Sequence, residues 1–88
     1  MYQNGDLIKI LANHPFYEIN QELYCLIKIV KNKKYLCYPT QVHNAFVEWD
    51  GLDGENLGNF KNNQEEFKLT LGKKFEIYNQ LYKDLIDK

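Results

Sequence analysis

Four side chains in this 88-residue sequence carry the nucleophile and ligand chemistry of thiols and imidazoles: Cys25, Cys37, His14 and His43. A thiol beside an imidazole is the start of a Cys–His nucleophile, and Asn44 or Glu48 is near enough in the chain to orient His43. No local motif joins the four, and the cysteine spacing fits no common zinc pattern. The bland reading is two half-buried thiols in a reducing cytoplasm. No catalytic residue, metal site or cofactor is assigned, and the chain is read as not an enzyme.

The rest of the residue alphabet narrows the chemistry further. All 11 basic residues are Lys, and the chain has neither Arg nor Ser. There is thus no bidentate fork for guanine, carboxylate or phosphate, no arginine finger and no serine nucleophile. Asp50, Asp53 and Glu55 form an acidic loop with Gly51 and Gly54, but their spacing is not that of a calcium-binding loop. A solvated turn explains them better.

Charge separates along the chain although the net charge is only −1 and the pI near 6.1. Residues 23–47 hold Lys28, Lys31, Lys33 and Lys34 and no acid. Residues 48–66 hold six acids against Lys61 alone. One basic and one acidic surface on a near-neutral domain suits steered binding to a protein. Glu48, Trp49, Asp50, Asp53 and Glu55 are the expected partner-binding residues, suited to a partner with a basic surface. The alternative uses Lys31, Lys33, Lys34 and Tyr35 on single-stranded nucleic acid, lysines on phosphates and tyrosine under bases. Lysine-rich turns also serve simply to keep sheet edges apart.

One small domain must position these groups. Apolar residues make up 44% and aromatic residues 15%, too hydrophobic for a disordered chain, and 88 residues support one core. The longest stretch free of Asp, Glu and Lys, Tyr35 to Val47, contains Gln41, His43 and Asn44 and spans no bilayer. Asp6 and Lys9 interrupt the first apolar run, so no secretory signal is expected.

Gly5-Asp6 reads as a turn opening a strand over residues 7–11, broken by Asn13-His14-Pro15. Leu23–Val30 and Tyr35–Tyr38 flank the polar turn 31–34 as a β-hairpin. The steps Phe16, Ile19, Leu23, Ile27, Val30 leave a helix over 16–31 as the alternative. Pairing Val30 with Tyr35 sets Lys28 opposite Cys37 and Cys25 on the other face, beyond disulfide reach. Residues 45–49 alternate as a strand, 50–59 read as loop, and Phe67, Leu69 and Leu71 alternate as another strand. Phe75, Tyr78, Leu81, Tyr82, Leu85 and Ile86 follow at helical spacing. The expected fold is α+β, a single domain over 1–88: a small, bent, barrel-like antiparallel sheet packed on one C-terminal helix.

The run Gly5-Asp6-Leu7-Ile8-Lys9-Ile10, then Tyr24 to Val30, a hairpin and Phe46-Val47-Glu48-Trp49, resembles small Src-homology-3-like barrels of bacteria and their phages. The resemblance covers residues 5–50 and implies a Gly-Asp turn before the first strand and a later hairpin completing the barrel. Residues 51–88 depart from that plan. Ribonuclease toxins that share the barrel use Arg in their active sites, and Arg is absent here. The function expected is stoichiometric binding of another protein, as an inhibitor or immunity-type protein of phage or mobile-element origin, in the cytoplasm.

Overall fold

The computed structural model describes residues 1–10, 22–39, 44–49 and 54–86. The break at Asn13-His14-Pro15, both histidines, Asp50 and Asp53 lie outside the described residues. Among the described residues five strands and two helices run in order: β1 (Asp6–Ile10), β2 (Leu23–Val30), β3 (Lys33–Pro39), β4 (Asn44–Glu48), β5 (Gly54–Asn59), α1 (Gln64–Leu71) and α2 (Phe75–Ile86). A 3₁₀ turn, Gly72–Lys74, joins the helices into one C-terminal helical stretch. The fold is α+β, an antiparallel sheet packed against that stretch.

The strand order β4-β3-β2-β1-β5 puts consecutive strands β4 and β5 on opposite edges. Both are antiparallel to their neighbours, so by count they run parallel to each other. Parallel strands in a flat sheet need a crossover of about a dozen residues. Only residues 49–53 separate these two, which requires a strongly coiled sheet. The sheet is bent as expected but open: no ladder joins β4 to β5 among the described residues.

Coiling gives each face its own apolar cluster, which is why β2 reads as an almost unbroken apolar run. On one face Leu7, Leu26 and Cys37 lie under Phe60 and the helical residues Phe67, Leu71, Phe75, Tyr78, Leu81, Tyr82 and Leu85. On the other, Ile8, Ile10, Cys25, Ile27, Leu36 and Tyr38 pack with Tyr2, Val47 and Trp49. Phe60 is fully buried, with ring centroids 5.4 Å from Phe67, 5.6 Å from Phe75 and 5.4 Å from Tyr82. The Tyr78 hydroxyl donates to the Tyr24 carbonyl, pinning α2 to β2.

The Gly5-Asp6 turn forms as read. Asp6 N–H donates to the Gln3 carbonyl at 3.1 Å, and the buried Asp6 carboxylate accepts from Gln3 N–H at 2.9 Å and Asn56 Nδ2 at 3.2 Å. Gly5 adopts φ +89°, and a Cβ there would stand 2.8 Å from Tyr82 Cε1.

Three expectations need correction. The hairpin register pairs Val30 with Lys33, not Tyr35, because Lys31 and Asn32 both take positive φ (50° and 67°) and close a two-residue loop. The shift is even, so Cys25 and Cys37 remain on opposite faces, both free. Residues 54–59, read as loop, form β5 against β1. Residues 67–71, read as strand, lie in α1: Phe67 and Leu71, four apart, are buried, while Leu69 is 88% exposed. For residues 23–30 the strand prevails over the helix alternative. Among the described residues no helix is long and apolar enough to cross a membrane.

Candidate protein-binding surface

The tight Lys31-Asn32 turn brings four lysines together at one end of the sheet. Lys31 and Lys33 are exposed, and Lys28 and Lys34 half-buried. Strand alternation sends Lys28 and Lys33 to the face that α2 partly covers and Lys34 to the opposite face. Each half-buried ammonium lies over a ring. Lys28 Nζ is 5.8 Å from the Phe46 centroid, and Lys34 Nζ is 5.4 Å from that of Tyr2. Tyr2 in turn meets Trp49 edge-on, with centroids 5.1 Å apart.

On the first face two cross-strand rows run out to β4, the second starting from Leu26 and Cys37 in the buried core. Lys28, Tyr35 and Glu48 form one row across β2, β3 and β4, and Leu26, Cys37 and Phe46 the next. Phe46 is 54% exposed. The Trp49 N–H donates to the Lys34 carbonyl at 2.9 Å, which fixes the hydrogen-bonded pairs as Trp49–Lys34, Val47–Leu36 and Ala45–Tyr38. The N–H and C=O groups of Phe46 and Glu48 therefore point outward, along the edge of β4 that no other described strand pairs.

The other edge is blunted. The β1–β5 pairing slips between Asp6 and Ile8, Gly58 sits at φ +94°, and its N–H is taken by Asn56 Oδ1 at 2.8 Å. Between Asn44 and Glu48, β4 has no Lys, no Pro and no bulge. That is an edge without the usual defences.

The expected acidic set is only partly visible and does not assemble on one strand. Glu48 is exposed on β4, whereas Glu55 is exposed on β5, paired with Lys9. Trp49 is half-buried against Tyr2 and Gly54 rather than presented to solvent. Asp50 and Asp53 lie outside the described residues. Of the alternative set, Lys31 and Lys33 are exposed at the tip, Lys34 is occupied by Tyr2, and Tyr35 is half-buried between Lys28 and Glu48. Sequence reading missed Phe46 as a surface residue. Its signal was a short edge-type strand, Asn44–Glu48, lacking Lys and Pro.

No protein family, curated protein or solved structure matches the chain.

Neither thiol is poised for attack. Burial, with a smaller contribution from Cys37, pushes the Cys25 thiol up to about 12. Burial pushes Cys37 up to about 11 against the opposing pull of Lys28. Both stay protonated near neutrality, and the thiolate is the nucleophile. Among the described residues no three His, Cys, Asp or Glu side chains group to hold a metal ion. The surface ion pair Lys9–Glu22, at 3.2 Å, raises the lysine and lowers the carboxylate through a direct hydrogen bond.

Proposed function

We propose that this chain is a non-catalytic binding module that engages another protein through the open face and edge of β4. The observation that carries the reading is Phe46: an aromatic ring more than half exposed, on an edge strand whose backbone groups face outward. Exposed aromatic anchors flanked by charge are what protein interfaces use. A stoichiometric inhibitor or immunity-type protein needs one shaped surface and no reacting group, which fits the buried, protonated thiols. The Gly5-Asp6 turn, the hairpin and the coiled sheet support the resemblance to small Src-homology-3-like barrels of bacteria and phages. With Asp50 and Asp53 undescribed, the acidic residues contribute Glu48 at the edge, and Trp49 acts by holding the sheet end in place.

The test is a photo-crosslinker at position 46, compared with one at Ile77 on the exposed side of α2. A protein adduct formed from position 46 alone, and competed by the wild-type chain but not by Phe46→Lys, is the expected result. Equal adducts from both positions, or none, reject the reading.

A second reading rests on Lys31 and Lys33, exposed at the tip with no ion pair among the described residues. With Lys34 and Tyr35 they would follow a single-stranded backbone. Oligo(dT) titration decides it. Engagement of three lysines gives a log–log salt slope of about −2.

A further inference from the structure

If a protein docks on β4, the outward backbone groups of that strand specify how. Resting on the protein-binding reading, we infer that the partner enters as an extended segment that adds a sixth strand beside β4, and that this segment is acidic.

Two observations fix the mode of binding. Phe46 and Glu48 present N–H donors and C=O acceptors in the spacing that an incoming strand requires, while their side chains project onto the open face. The opposite edge, β5, is disabled by its bulge, by Gly58 and by the Asn56 side chain covering the Gly58 N–H. Among the described residues the sheet therefore has one edge able to accept a strand, and it is the edge that bears the exposed ring.

Charge fixes the partner's chemistry. No acid occurs in β2 or β3, and Lys28 reaches across the sheet to place its ammonium over Phe46. A strand paired to β4 lies about 4.8 Å beyond it, so its face-matched side chains fall within reach of that ammonium. Carboxylates opposite Phe46 meet the Lys28 ammonium that lies over its ring, whereas lysines there meet repulsion; only opposite Glu48, on the same face of β4, does that preference reverse. A second copy of this chain answers less well. In the two-fold register that sets Phe46 against its own counterpart, the copy's only β4 acid, Glu48, falls opposite Asn44, at the end of β4 away from the hairpin tip.

The experiment uses the full chain and two acetylated peptides of about eight residues, one alternating Glu and Val, the other Lys and Val. Affinity is read by fluorescence anisotropy and backbone protection by amide hydrogen exchange. The Glu peptide is expected to bind and to slow exchange at the Phe46 and Glu48 amides, with the Lys peptide inert. Glu48→Pro removes one outward donor while leaving the β3 ladder whole, and is expected to weaken the Glu peptide about tenfold. Its loss of negative charge acts in the opposite direction, and Glu48→Gln, which keeps the donor, binds at least as tightly as wild type. Lys28→Gln is expected to weaken binding about fivefold.

Binding of the Glu peptide without amide protection and without loss in Glu48→Pro overturns strand addition, and leaves the protein-binding reading standing if Phe46→Lys abolishes it. Equal binding of the Lys peptide overturns the acidic assignment. A dimer in sedimentation of the protein alone, dispersed by Glu48→Pro, hands the edge to a second copy and overturns the proposal. Failure of both peptides overturns it too, and the crosslink from position 46 then decides whether the protein-binding reading falls with it.

Discussion

Trp49 and Gly54 lie at the ends of strands on opposite edges of the sheet, yet a Cβ added to Gly54 would stand 2.9 Å from Trp49 Cζ2. The same atom would be 2.5 Å from Cγ2 of the buried Ile8. The indole thus closes on a gap that only glycine leaves open, and the Tyr2 hydroxyl reaches the Gly54 carbonyl at 3.4 Å. Gly54→Ala is expected to lower unfolding free energy by about 1–3 kcal/mol. Urea denaturation measures it. An unchanged midpoint would mean that the two edges do not meet there.

The cluster around Phe60 bears the helical stretch on the sheet. Phe60→Ala is expected to cost about 3–5 kcal/mol, a large part of the stability of a domain this size. Thermal unfolding followed by circular dichroism checks it, with Leu69→Ala as the comparison. Leu69 is almost wholly exposed, so its change stays within about 0.5 kcal/mol.

Alkaline pH should destabilise the fold. The native thiols hold their protons up to about 12 for Cys25 and about 11 for Cys37, whereas an unfolded thiol loses its proton near 9.0. Above that lower value the unfolded state binds fewer protons, so stability is full below it and falls as pH rises toward the folded values. The slope is about 1.4 kcal/mol per pH unit for each thiol. Cys25→Ala should shallow the decline in melting temperature between pH 9 and 11. At pH 8 a disulfide reagent should titrate both thiols promptly in urea and only slowly in the native protein.

The turn at Lys31-Asn32 offers a stabilising change. A lysine at φ 50° pays the left-handed penalty that Asn or Gly avoids. Lys31→Asn with Asn32→Gly should raise stability by up to about 1 kcal/mol. It also removes one lysine from the nucleic-acid reading while leaving Phe46 untouched, so any change in oligo(dT) affinity is separable from the β4 surface.

What could be read from the sequence tracked the strength of local pattern. Leu23–Val30, the return strand through Tyr38, residues 45–49 and the stripe from Phe75 to Ile86 announced themselves by apolar runs or helical spacing. β5 did not, because its strand carries Gly54, Asn56, Gly58 and Asn59, and it forms only where β1 supplies a partner. α1 misled through Leu69, whose apolar side chain mimics alternation although it faces water. The pair Phe67 and Leu71, with Glu65 and Glu66 in the first turn, was the truer signal. The acidic residues suggested a site by composition. The structure puts Glu48 and Glu55 on different edge strands, and leaves Phe46, marked by no motif, more than half exposed.

The double burial of β2 has a cost of its own. A strand with one oily and one wet face resists slipping by a residue, because the slip would drown its apolar set. Here a one-residue slide would exchange Cys25 and Ile27 for Tyr24 and Leu26, one greasy set for another, and only Lys28 in place of Ile29 would change character. The Lys31-Asn32 turn holds β2 against β3, and alignment against β1 is left to polar latches at both ends: Gly5 N–H on the Ile27 carbonyl at 2.7 Å and Ile29 N–H on Asn4 at one, Lys9 gripping Glu22 at the other. Loosening those latches would let the molecule misthread with little exposed grease to betray it.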